Sequence, residues 1–187
     1  MVRRTLIGGI GYRNLRDHSV GVAAVDHLAL GDWPEGVVVE DVSYGPIAVL
    51  QRLEDEPADR RFARAVIVAA PLREGRLPGS VTCYRWDGVL PSSDEIQRAV
   101  ADAVTGVIFL DNTLIVTRYF GALPEEVVVV EVEPEIHEFG ETFSPAIAGI
   151  FDELCELVTT LATDPDAAAR LPLAPLGGRR PAGARTR

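Results

Sequence analysis

The sequence predicts an α/β fold, a three-layer α/β/α domain around a mostly parallel five-stranded sheet. Three observations predict it. Apolar runs of strand length alternate with stretches of helical spacing, the order that builds parallel sheets. The run Ala65-Val-Ile-Val-Ala-Ala70 lacks in–out alternation, as strands covered on both faces do. The opening stretch passes from an apolar strand through a glycine-rich turn into a helix, the entry unit of such a domain.

In chain order, Leu6 to Ile10 is the first strand, and Val22, Val25 and Leu28 mark the helix behind the turn. A loop with Gly31, Pro34 and Gly36 leads to the second strand, Val37 to Ser43. Pro46 suits the first turn of the next helix, whose apolar face is Ile47, Leu50 and Leu53. After the buried run at 65–70 and a polar loop from Arg73 to Gly79, Ser80 to Trp86 alternates and reads as an antiparallel edge strand. Ser92 or Ser93 caps a helix carrying Ile96, Ala99, Val100 and Ala103. Gly106 ends it, and a helix is expected from Ile108 to Tyr119. Val127 to Glu133 is the last core strand. Ser144 as cap and Pro145 at the first helical position open a long helix with a stripe from Ile147 to Leu161. The expected domain is therefore 1–162, and 163–187, rich in Pro, Ala, Gly and Arg, is expected as a disordered tail.

The 187 residues are enough for one sizeable core, and 47% of them are hydrophobic. No apolar run approaches the roughly 18 residues of a membrane span, and no secretory leader is recognisable, so a cytoplasmic protein without a membrane partner is expected. A net charge of −10 excludes a general nucleic-acid binder, because phosphate contacts need clustered cations. All the cations are arginine. Cys83 and Cys155 lack metal-type pair spacing and read as buried free thiols.

Ligand sites of open α/β sheets lie beyond the carboxyl ends of the strands. Asp17 and His18 stand there, in the first turn, and Glu40, Asp41 and His137 stand at or just past other strand ends. Asp17 is either the cap of the next helix or a partner that orients His18. Asp111, within an apolar helix, either is a buried functional acid or points outward. A dinucleotide fingerprint fails, since Asn14 occupies the third glycine position after Gly9 and Gly11. No nucleophile–base spacing is present among Cys, Ser and His.

The sequence resembles the hydrogenase maturation proteases. Gly9-Ile-Gly-Tyr-Arg-Asn-Leu-Arg-Asp-His-Ser-Val-Gly-Val22 is similar to the family's G-x-G-N-x-x-x-x-D-D/E-x-x-G-V/P, and Asp41-Val-Ser-Tyr-Gly45 to its second-strand motif. Val66 to Gly79 resembles the third strand with its P-G turn. Gly121-x-x-Pro124, Glu133-Pro134 and Gly140 to Pro145 follow in the family's order. The likeness spans about residues 5–162. It implies a phosphorylase/hydrolase-like α/β/α fold and an endopeptidase that acts on the C-terminus of a nickel–iron hydrogenase large-subunit precursor after nickel insertion. Nickel is then supplied by the substrate protein, and the precursor is the partner. The family's three nickel-binding side chains are substituted: the acid of the first motif falls on His18, the second-strand-end aspartate of the sheet's third strand on Ala70 or Ala69, and the histidine near Gly106. Tyr12 stands in place of the family's asparagine. His18, Asp41 and His137 are the candidate ligands of a rebuilt site, with Asp17 behind them. The alternative is an assembly or binding factor on the same fold that has lost peptidase chemistry.

Overall fold

The computed structural model describes residues 3–178. Its single sheet has six strands in the order β2-β1-β3-β5-β4-β6. They are β1 (Thr5–Ile10), β2 (Val37–Asp41), β3 (Arg64–Ala69), β4 (Val81–Trp86), β5 (Glu126–Val132) and β6 (Leu173–Ala174). β2, β1, β3 and β5 run parallel, and β4 is antiparallel to β5. The alternating run at 81–86 is thus antiparallel as expected, but β6 pairs with its outer side, so it is the penultimate strand and the sheet has one strand more than expected.

The helices are α1 (Val20–Leu28), α2 (Pro46–Glu54), α3 (Ser93–Val104), α4 (Leu110–Tyr119), α5 (Pro145–Ala148), α6 (Phe151–Thr163) and α7 (Pro165–Ala169). The strand pleat divides the core in two. Ile7, Val66, Val68, Val128 and Val130 face α1 and α6, with Val25, Leu154 and Val158. Leu6, Ala65, Ile67, Val127 and Val129 face α2 and α4, with Leu53, Leu110 and Leu114. Both registers of β3 are apolar because both faces are covered, which is why the sequence shows no alternation there.

The capping signals act as their residue types dictate. Ser92 and Glu95 form a reciprocal capping box on α3, and Ser144 accepts the Ile147 amide at the start of α5. The long helix expected from Ser144 is broken at Gly149 and Ile150 into α5 and α6. Cys155 is buried and Cys83 half-buried, both free, and burial pushes each thiol up to about 11.

The expected disorder from residue 163 is corrected over 163–178. α7 and β6 form there, with the Arg85 amide donating to the Pro172 carbonyl at 2.9 Å and the Asp87 amide to Ala174 at 2.9 Å. Ala168 and Ala174 are buried. These elements are too short to show a periodicity, and borrowed hydrogen bonds from β4 offset their ordering entropy. The rest of the expected tail, 179–187, lies outside the described residues.

Candidate functional site at the carboxyl rim of the sheet

The glycines after β1 serve close packing. A Cβ at Gly9 would stand 2.1 Å from the Gly21 carbonyl oxygen, and one at Gly21 would stand 2.4 Å from that of Val68. The start of α1 therefore lies backbone-to-backbone on β1 and β3. This forces the intervening residues into a tight excursion at the rim. Asn14 and Arg16 adopt left-handed φ values of 61° and 41°. Such a conformation persists in a non-glycine residue only where neighbours hold it. Here the Arg16 amide donates to Gly140 O at 3.0 Å, the Gly140 amide to Asn14 O at 2.9 Å, and Arg16 Nε to Thr142 O at 3.0 Å.

The excursion delivers Asp17 into the interior, at 0% exposure. Its Oδ1 accepts the Ser144 amide at 2.7 Å, and its Oδ2 accepts the amides of Glu135 and Ile136 at 2.8 and 3.0 Å. Burial raises the carboxyl's pKa, but these amides outweigh it and hold it below the ordinary 3.8. Asp17 is not the cap of α1; the cap position is Ser19. Its three hydrogen bonds fasten both ends of the loop between β5 and α5, which carries His137.

That loop brings His137 onto His18. Nε2 of His18 and Nδ1 of His137 are 2.5 Å apart, with ring centroids at 4.2 Å. Burial, and then the neighbouring His137, lower the His18 pKa below 6.5, against the Ala70 carbonyl and Asp17, which favour its charged form. At neutral pH the His18 ring is therefore neutral and keeps a lone pair, the state a metal ligand or general base needs.

Asp41 does not join the pair. Its Oδ2 accepts Arg13 Nη2 at 2.8 Å and its Oδ1 accepts the Ser43 amide at 2.9 Å, while Arg13 also pairs with Asp26 at 2.6 Å. Among the described residues no three His, Cys, Asp or Glu side chains are grouped to hold a metal ion. The expected trio His18, Asp41 and His137 thus reduces to two histidines, because an arginine already neutralises the carboxylate.

Beside the histidines opens a cleft of about 880 Å³ between the rim and helices α3 and α4. Tyr12, Ala70, Leu72, Arg73, Phe109 and Asp111 line it together with both histidines. Ala70, where the family resemblance expects an aspartate, is a plain apolar wall. Gly106, the expected histidine position, only turns the chain between α3 and α4 at φ 82°. The Tyr12 hydroxyl accepts the Ile108 amide at 2.8 Å and so ties the first turn to the start of α4.

Asp111 faces the cleft and forms a two-pronged ion pair with Arg73, at 2.7 and 2.5 Å. Arg73 also reaches Glu131 at 2.7 Å. Glu131 is fully buried and takes Arg76 at 2.6 Å and the Tyr84 hydroxyl at 2.8 Å as well. Burial opposes its charge, yet the arginines and the hydroxyl win and lower its pKa. Sequence reading missed this network. The available signal was Glu131 itself, an acid inside an all-valine strand, which must find cations if the strand is covered on both faces.

No protein-family model and no curated protein sequence matches the chain. Solved structures do match. The hydrogenase maturating endopeptidase HybD from E. coli shares 20% identity and a TM-score of 0.61, over 83% of this chain and 89% of that one. An endopeptidase from Escherichia coli gives 21% identity and 0.62, over 86% and 94%. The NiFe hydrogenase maturation protease HybD from Thermococcus kodakarensis gives 18% and 0.57, over 86% and 99%. The chain has the fold of the hydrogenase maturation endopeptidases.

Proposed function

We propose that the protein is a divergent hydrogenase maturation endopeptidase, working in the cytoplasm on the C-terminal segment of a nickel–iron hydrogenase large-subunit precursor after nickel insertion. The observation that carries this reading is the His18–His137 pair, at the rim where the resemblance puts the family's metal contacts, opening onto a cleft. Nickel enters as part of the substrate. Imidazole nitrogen suits it. Metal–nitrogen bonds of about 2 Å each require the two rings to part before both ligate one ion. The precursor then keeps the remaining ligands, which fits a site with only two donors.

In this reading Asp17 fixes the separation of the two histidines by holding the loop of His137, and burial keeps His18 in its ligand form. The apolar lining at Ala70, Leu72 and Phe109 receives an extended peptide and excludes water beside the scissile bond. A metal held there polarises the carbonyl and acidifies a bound water.

A second reading is favoured by Ala70 and by the Asp41–Arg13 pair, which leave fewer donors than the family pattern. The protein then binds the same precursor without cutting it. Intact-mass spectrometry of the large subunit from cells with and without this gene separates the two. A shorter subunit only in its presence supports the peptidase. An unchanged mass overturns the peptidase, and co-purification with the unprocessed precursor then supports the binding factor.

A further inference from the structure

A second cavity, of about 710 Å³, lies at the other end of the sheet, among the first residues of β3 and β5 and the last of β4. Two buried N–H donors belong to residues of its wall and have no acceptor among the described residues: Trp86 Nε1 and Arg64 Nε. Their residues are 4% and 3% exposed. Arg64 Nε is 2.9 Å from Glu126 Oε2 but out of line for a hydrogen bond, and its other nitrogens donate to Leu161 O and Glu126 Oε1. Buried donors without acceptors are rare in folded proteins and call for an explanation.

The charge pattern supplies one. Arg85 lines the same cavity, half-buried; its Nε donates to Leu171 O at 3.2 Å, and no carboxylate pairs with it among the described residues. Glu126 already answers both Arg3 and Arg64. The other acids of the wall, Glu125 and Asp166, are exposed and solvated at its mouth. The depth of the cavity thus offers donors and an unmatched cation beside apolar surface from Phe62, Val127 and Leu173.

We propose that this cavity binds a small organic carboxylate. The acid's oxygens accept from Trp86 Nε1 and the Arg64 and Arg85 guanidinium groups, and its apolar body rests on Phe62 and Leu173. A carboxylate brings two oxygens with free lone pairs in the plane a guanidinium fork matches. A neutral amide lacks the charge, and free phosphate lacks the apolar body.

The chain has two indoles, and only Trp86 has a free N–H; Trp33 Nε1 donates to Leu28 O at 2.8 Å. Benzoate titrated into the ¹⁵N-labelled full chain is expected to shift the Trp86 indole N–H resonance, assigned with Trp86→Phe, saturably, and to leave Trp33 in place. Benzamide and inorganic phosphate are expected to leave it unmoved. Arg85→Gln is expected to weaken the benzoate response about ten-fold, the scale of one charge-assisted hydrogen bond. Ala169→Glu, at an exposed position of α7 on the same wall, is expected to abolish it without touching the core. A Trp86 resonance indifferent to benzoate, an equal response to benzamide or phosphate, or a full response in Ala169→Glu would overturn the proposal. None of these readouts depends on the rim site or on peptidase activity.

Discussion

Asp17 accepts the Ser144 amide at 2.7 Å across 127 positions of the chain. The same carboxylate holds Glu135 and Ile136, so one buried acid fastens the first turn of the fold to both ends of its last long loop. The distance between His18 and His137 is a consequence of that fastening.

Asp17→Ala leaves three amides without acceptors, two of them beside the candidate site. At about 1–3 kcal/mol for each buried unsatisfied group, urea unfolding is expected to show a loss of roughly 3 kcal/mol or more. Asp17→Asn keeps one acceptor oxygen and is expected to fall between Ala and wild type. A loss within about 0.5 kcal/mol, the scale of an ordinary surface substitution, would contradict the fastening role.

The Asp17 carboxyl titrates below 3.8 in the folded protein. Its stabilisation is thus fully present above the unfolded value and is lost as pH falls through the folded one. Acid unfolding of Asp17→Asn is expected to be less steep in that range than that of wild type. Parallel curves would remove Asp17 from the acid transition.

His18 works in the opposite sense. Its folded pKa lies below 6.5, so the unfolded chain binds the proton more readily. Above 6.5 the ring contributes nothing to the pH dependence. As pH falls from 6.5 toward the lowered folded value, stability declines, and below that value the full penalty remains. His18→Gln is expected to flatten the stability profile on the acid side of 6.5. A profile unchanged from wild type would show that the His18 ring is not buried against His137.

Glu131 is the hub of the cleft wall. Removing its charge with Glu131→Gln strands Arg73 and Arg76 in a partly buried site, and about 3 kcal/mol or more of stability is expected to go. The Gly177 amide donates to Tyr84 Oη, and Arg76 donates to Gly177 O, so the segment following β6 is expected to become more susceptible to limited proteolysis. Wild-type stability and cleavage would contradict this.

Much of the fold was legible, because the layers follow from local pattern. The unalternating 65–70 run, the capping serines Ser92 and Ser144, and Pro46 and Pro145 at helix starts each act through their own neighbours. The site was legible only in part. Sequence order placed His18 and His137 at strand ends, but their contact depends on Asp17 reaching Ser144. Asp41 looked available because its neutralising partner, Arg13, lies 28 positions away and has no local signature. Arg73, Asp111 and Glu131 were missed as a group for the same reason, since their pairing is a product of the β3–β5 register. β6 was hidden because two residues carry no period.

The most direct test combines purified protein with a nickel-loaded large-subunit precursor and follows the precursor's intact mass. Wild-type protein is expected to release a C-terminal peptide, and the double variant His18→Ala, His137→Ala to release none while remaining folded. Equal cleavage by both, or no cleavage by either, would contradict a peptidase centred on the histidine pair.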